Sequence, residues 1–187
     1  MLPGFNPRPF ALDYLAESSE SKTFINADLI AAGISPLQPE IATRAASRLF
    51  LQQIQQCVAA QVSFAFETTL SSRGYLRLIR NLKQAGWQVE LIYLALPSVR
   101  ISLERVRERV AHGGHSILED AIYRRFPRSL RNLLNEYAGL VDYTLCLMND
   151  SEEPVTVFEQ DTERGRYIIH QEAYRLLQKQ SSVGEKS

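Results

Sequence analysis

The residues best suited to chemistry stand at the ends of two short apolar runs. Val62-Ser63-Phe64-Ala65-Phe66 stops at Glu67-Thr68-Thr69-Leu70-Ser71-Ser72, a carboxylate followed by hydroxyls, and Thr23-Phe24-Ile25 stops at Asn26-Ala27-Asp28. If both runs are parallel strands, Asp28 and Glu67 share the rim at the strands' carboxyl ends, where ligands of open α/β sheets bind. A carboxylate pair there suits a general base beside a group that holds a hydroxyl or a metal. Two plainer readings stand beside this one. Asp28 suits the first turn of a helix beginning near Leu29, where negative charge is favoured. A polar stretch after Phe66 is also what a water-facing loop requires.

A second constellation is made of arginine. Arg105, Arg109 and His112 are spaced i, i+4, i+7, and Arg124, Arg128 and Arg131 repeat that spacing, with Arg125 beside them. Residues so spaced share one helix face. Two such helices joined at Gly113-Gly114 form a phosphate clamp, because guanidinium groups bind phosphate bidentately. The alternative is two solvated faces whose salt-bridge partners are Glu104, Glu108, Glu119 and Asp120. Between Arg100 and Arg131 there are eight Arg against those four acids, whereas the chain's lysines are only Lys22, Lys83, Lys179 and Lys186. His112 and His115 have no evident third ligand, so no metal site is expected. Trp87 and the scattered Tyr and Phe residues read as core.

The elements that must position these groups follow from apolar periodicity and chain breakers. Residues 1–9 are irregular, and Phe10–Leu15 is a short helical candidate. Strands are expected at 23–25, 62–66, 89–96 and 143–148, with a short edge strand at 155–158. Helices are expected at about 29–33, 39–60, 73–85, 99–111, from 116 or 117 to 137, and 162–179. Pro127 predicts a kink or break in its helix. The alternation predicts an α/β fold with a parallel sheet flanked by helices, as one domain over 1–179 and a disordered polar tail over 180–187.

Composition narrows the function classes. The chain has 187 residues, enough for one domain, with Lys plus Arg and Asp plus Glu balanced at 21 each. A neutral total argues against a general nucleic-acid or membrane-surface binder. No apolar run approaches the roughly 20 residues of a membrane span. The two cysteines, Cys57 and Cys146, read as buried free thiols. The reading is a cytoplasmic protein.

Several segments together resemble one family. They are Phe24–Asp28, Ser35-Pro36 with the helix after it, Phe64–Leu70, Tyr75–Ile79, Arg105–Arg109, Gly113-Gly114-His115 and Arg124-Arg125-Phe126-Pro127-Arg128. Over about residues 24–150 the chain resembles the zeta-toxin family of P-loop kinases. The resemblance implies a nucleotide-kinase-type sheet, ATP and Mg²⁺ as cofactors, and phosphorylation of a sugar nucleotide of the UDP-N-acetylglucosamine class. It implies an antitoxin protein as partner. Asp28 matches the catalytic base; Asn26, Glu67, Thr68 and Thr69 fall on the substrate side; Arg109 and Arg125 match arginines on the ATP phosphates, with Arg124 and Arg128 as alternatives to Arg125. The sequence departs from the family at Gly4–Ala11, which stands where a Gly-rich loop ending in Gly-Lys-Ser/Thr would cradle phosphates. The segment has no lysine and no glycine pair, Lys22 lacks the helix context, and Arg8 is a weak substitute. The central strand before that loop is also missing, so the expectation is a start further upstream or a decayed copy. Impaired transfer is expected, and the alternative function is a non-catalytic relative that binds a sugar nucleotide or an antitoxin-like partner.

Overall fold

Thr23-Phe24-Ile25 and Ala65-Phe66 fold as the apolar pattern demands, into parallel strands β1 (Phe24–Ile25) and β2 (Ala65–Phe66), with Phe24 opposite Ala65 and Ile25 opposite Phe66. This computed structural model describes residues 23–111, 118–151 and 153–183. They divide into two compact units, within Asn6–Thr68 and within Thr69–Ser187. The expected helix at 10–15, the Gly4–Ala11 segment and Gly113-Gly114-His115 lie outside the described residues.

In the first unit, helix α1 (Ala27–Ile34) begins directly after β1. A 3-10 turn, Pro39–Ala42, leads into α2 (Thr43–Ala60). Pro39 suits that start because its missing N–H is an orphan there anyway. Ala31, Ala42 and Ala46 form a small buried cluster with Ile30 packed on it. Phe50 of α2 meets Phe66 of β2 edge-on, with ring centroids 5.8 Å apart, a preferred aromatic arrangement. α2 ends on Gln61 in the left-handed region at φ 52°. β2 is shorter than its apolar run because Val62, Ser63 and Phe64 lie before the ladder.

The second unit holds a four-stranded sheet ordered β3 (Glu90–Ala95), β4 (Tyr143–Met148), β5 (Val155–Asp161), β6 (Gly165–Ile168). β3 and β4 are parallel, in register from Glu90 opposite Tyr143 to Ala95 opposite Met148. β4–β5 and β5–β6 are antiparallel. The sheet is therefore mixed rather than wholly parallel. β5 is interior, not the expected edge strand, and Val157 and Phe158 are fully buried. The expected helix over 162–179 is overturned in its first part. Asp161 Oδ1 accepts from the N–H groups of Glu163 and Arg164 at 2.9 and 2.6 Å. Gly165 takes φ 77°, a value open to glycine, and together they close a hairpin into β6.

Helix α3 (Tyr75–Gln84) buries Leu76, Ile79 and Leu82. It closes as a Schellman turn: Trp87 N–H bonds Leu82 O at 3.0 Å, Gly86 N–H bonds Lys83 O at 3.0 Å, and Gly86 has φ 83°. Helix α4 (Val99–Ala111) is capped by Ser98 Oγ, which accepts from Ile101 N–H at 3.3 Å. Helix α5 (Glu119–Asn132) runs through Pro127 without the expected break and continues as a π-helical turn, Leu133–Tyr137. α5 and that turn supply Leu130 and then Leu133 and Tyr137 to the main core with Cys146, Phe158 and Leu177. Helix α6 (Gln171–Ser181) takes in Gln180 and Ser181, which were expected in a disordered tail. The Gln180 amide donates to the Pro97 carbonyl, and Arg131 holds the Ser181 carbonyl from Nε and Nη2 at 3.2 and 3.0 Å.

Candidate functional site

Asn26 organises the rim of the first unit. The residue after a β-strand that opens directly into a helix must satisfy the helix's first N–H groups. Asn26 Oδ1 accepts from Asp28 N–H at 2.8 Å and from Leu29 N–H at 3.1 Å. Its Nδ2 donates to Glu67 Oε2 at 2.6 Å. The β1–β2 register places Ile25 beside Phe66, so Asn26 and Glu67 are the next residues on adjacent parallel strands. Asn26 is buried, whereas Asp28 and Glu67 are exposed and Thr68 is half-buried. A fixed carboxylate, an exposed carboxylate on the first helical turn and a hydroxyl make an acceptor set for ligand hydroxyls. The Asn26–Glu67 bond holds the Glu67 side chain in one orientation.

Thr69 begins the second unit, and its surroundings carry residues that the sequence reading did not single out. Thr69 Oγ1 and Ser71 Oγ lie 2.9 Å apart. Ser129 Oγ donates to the Thr69 carbonyl at 2.6 Å, Asn132 Nδ2 to the Leu70 carbonyl at 2.8 Å and Tyr137 Oη to the Ser72 carbonyl at 2.7 Å. Asn132 falls one helical turn after Ser129, and that spacing on an otherwise amphipathic helix was the one available signal.

The arginines separate by role. Arg109 on α4 and Arg124, Arg125 and Arg128 on α5 are exposed. Arg105 Nη2 instead donates to the Asn149 carbonyl at 2.7 Å, and burial draws its pKa down from the ordinary value against the opposing charges of Glu108 and Asp150. Arg131 is spent on the end of α6. Arg107 pairs with Glu119 at 2.5 Å, linking α4 to α5. The six guanidiniums of the expected clamp (Arg105, Arg109, Arg124, Arg125, Arg128, Arg131) therefore do not act as one set: Arg105 and Arg131 satisfy backbone carbonyls at element ends. Cys146 is buried, and burial pushes its thiol pKa up; Cys57 is only half-buried. No helix among the described residues is long and apolar enough to cross a membrane.

The chain is 32% identical over 102 residues to an uncharacterised protein of Haemophilus influenzae, an alignment covering 54% of this chain and 73% of that protein. Its fold resembles a solved chain from the PezAT chromosomal toxin–antitoxin system of Streptococcus pneumoniae at TM-score 0.56 and 13% identity, covering 96% of this chain and 82% of that one. That likeness shows the fold, α/β with parallel strands flanked by helices. The sequence profile described as Zeta toxin matches residues 35–164, more than half of the chain. The chain belongs to the zeta toxin family.

Proposed function

We propose that this chain binds a sugar nucleotide of the UDP-N-acetylglucosamine class at the Asn26–Glu67 strand ends, as the acceptor of a kinase-type phosphotransfer that the chain carries out only weakly. The observation that supports this reading is the 2.6 Å bond from Asn26 to Glu67 beside the Asp28 turn. Glu67 and Thr68 offer acceptors and a donor to sugar hydroxyls. Asp28, exposed on the first turn of α1, is the base that takes the proton from the hydroxyl to be phosphorylated.

The family implies a nucleotide and Mg²⁺, and the described donor set does not fit them. No group of three or more His, Cys, Asp or Glu among the described residues is placed to hold a metal ion. Lys83 donates to Asp142 at 2.7 Å, and Arg105 and Arg131 serve carbonyls. Gly4–Ala11 contains no lysine. Weak transfer is part of the proposal, and the lysine-free Gly4–Ala11 segment rather than the acceptor side is what supports it. Arg109 and Arg125 are assigned to phosphate because the family resemblance implies it, with Arg124 and Arg128 as exposed alternatives to Arg125.

The test is thermal stabilisation by UDP-N-acetylglucosamine together with an assay of γ-phosphate transfer from Mg²⁺-ATP. Ligand that binds only the native state raises its stability by mass action. Stabilisation in the parent protein and its loss in Glu67→Ala are expected, with transfer that is slow and absent in Asp28→Asn. No stabilisation by any UDP-sugar sinks the reading.

A second reading is a non-catalytic relative that holds an antitoxin-like protein. The origin of the structural neighbour in a toxin–antitoxin system favours it. It predicts a stable complex with the product of an adjacent gene, with no transfer activity in either state.

A further inference from the structure

Helix α2 has two faces of different character. Ala46, Phe50 and Ile54 are buried. Arg44, Arg48, Leu51 and Gln55, spaced by four, three and four residues, share another face, and all four are exposed. The turn that leads into the helix extends that surface with apolar side chains. Leu37 is 96% exposed and Ile41 72%, and Leu51 on the helix is 51% exposed. An exposed apolar residue standing alone is ordinary. Three of them along one short stretch, with arginines between, have the pattern of an interaction patch rimmed by polar groups.

The charge on this face has no complement within the chain. Thr43–Ala60 contains two arginines and no acid. Neither Arg44 nor Arg48 has an ion pair among the described residues. A helix face that meets only water is well served by charges of both signs, and the chain does this elsewhere. On α4, Arg100 stands 3.8 Å from Glu104, and Arg107 pairs with Glu119 of α5. The other polar residues of the outer face of α2 include Gln52, Gln53 and Gln56, all exposed and all uncharged. Arginine and apolar side chains without lysine or acid match the composition enriched at protein interfaces. Spacings of three and four are those at which one amphipathic helix anchors on another. We infer that the outer face of α2, together with Leu37 and Ile41, docks an amphipathic helix of a partner protein whose apolar stripe is flanked by carboxylates that meet Arg44 and Arg48. Charge complementarity selects this occupant. A second copy of α2 would bring arginines and no acid to meet them. The inference depends on neither reading above, because the partner is defined by its chemistry alone.

The probe is a fluorescein-labelled synthetic helix of about three heptads, with leucine at a and d and glutamate at e and g. It is titrated with the full chain and read by anisotropy, beside the same peptide with lysine at e and g. Saturable binding of the glutamate peptide alone is expected, weakening as salt is raised. Arg44→Glu with Arg48→Glu is expected to weaken it at least about tenfold and to transfer the preference to the lysine peptide. Leu37→Ser with Ile41→Ser is expected to weaken it by a similar factor without changing the charge preference. All four positions are exposed, so both double variants are expected to keep the denaturation midpoint of the parent. No binding of the glutamate peptide, equal affinity for the two peptides, or an affinity unchanged in either double variant overturns the inference. Two further results overturn it by naming another occupant. One is self-association of the parent that Leu37→Ser with Ile41→Ser abolishes. The other is binding of phosphatidylserine vesicles in place of the peptide.

Discussion

Asn26 bonds Glu67 across the β1–β2 strand ends with its amide nitrogen, and caps α1 with its amide oxygen. The two functions separate by substitution. Asn26→Ala removes both, and loss of the cap costs about 1 kcal/mol, read as a lower denaturant midpoint. Asn26→Asp keeps an acceptor for the cap but sets a second carboxylate against Glu67. Like charges so close raise the pKa of the pair in the folded state. The aspartate variant is therefore expected to be weakened at neutral pH and to recover relative to the parent as the pH falls into the carboxylate range. A neutral-pH midpoint equal to the parent's contradicts the Asn26–Glu67 contact.

Asp142 gives a pH dependence of opposite sign. Its Oδ1 accepts from Lys83 Nζ at 2.7 Å and its Oδ2 from Val89 N–H at 2.8 Å. The hydrogen bond from Lys83, foremost, holds its pKa below the ordinary value, against a smaller opposing effect of burial. A folded pKa below the unfolded one means that the unfolded chain takes up the proton first as pH falls. The contribution is then fully present above the unfolded carboxylate value of about 3.9 and is lost as pH falls through the folded value. Denaturation of parent and Asp142→Asn from pH 7 downward should show a gap that is constant near neutrality and closes below about pH 4. A gap that widens on acidification refutes the assignment.

Pro127 sits inside α5, where it can donate no N–H to the preceding turn. The sequence predicts a kink or break at that point, and the helix is not broken there, because Leu130, Leu133 and Tyr137 beyond it are drawn into the main core. Burial of large side chains, about 1.5–3 kcal/mol each, outweighs a proline penalty of about 3 kcal/mol relative to alanine. Pro127→Ala is expected to raise stability by roughly 1–3 kcal/mol, measured by urea denaturation. A loss of stability implies a packing role for the pyrrolidine ring.

Legibility followed the range of the interactions. β3, α4 and β4 were readable within a residue or so because apolar runs and a Pro97-Ser98 stop are local signals. β6 was not, because Tyr167 and Ile168 fit the helical period of the residues after them; the Asp161 turn and Gly165 were the local cue to a hairpin. On the candidate site, Asn26, Asp28 and Glu67 stood out as polar residues ending apolar runs. Ser129 and Asn132 did not, since the carbonyls they serve lie 60 and 62 positions away in the chain. Arginine spacing gave no means of telling Arg105, which bonds the Asn149 carbonyl, from exposed Arg109.

Arg105 and Arg109 are four residues apart on α4 and should fail in different ways. Arg105 bonds the carbonyl of Asn149, itself buried at 1% exposure, which follows β4 and bonds the Ala95 carbonyl through its own N–H at 2.8 Å. Removing a charged donor from a largely buried acceptor costs about 1–3 kcal/mol, so Arg105→Ala is expected to lower the denaturation midpoint. Arg105→Lys should recover only part of it, because an ammonium reaches as a point charge without the guanidinium's fixed geometry. Arg109 is exposed, and surface ion pairs contribute at most about 1 kcal/mol. Arg109→Ala is expected to leave the midpoint nearly unchanged while weakening nucleotide binding, with a loss that shrinks as salt is raised. Equal midpoint losses in the two variants, or unaltered nucleotide affinity in Arg109→Ala, place both arginines in the structural class and remove Arg109 from the phosphate-binding set.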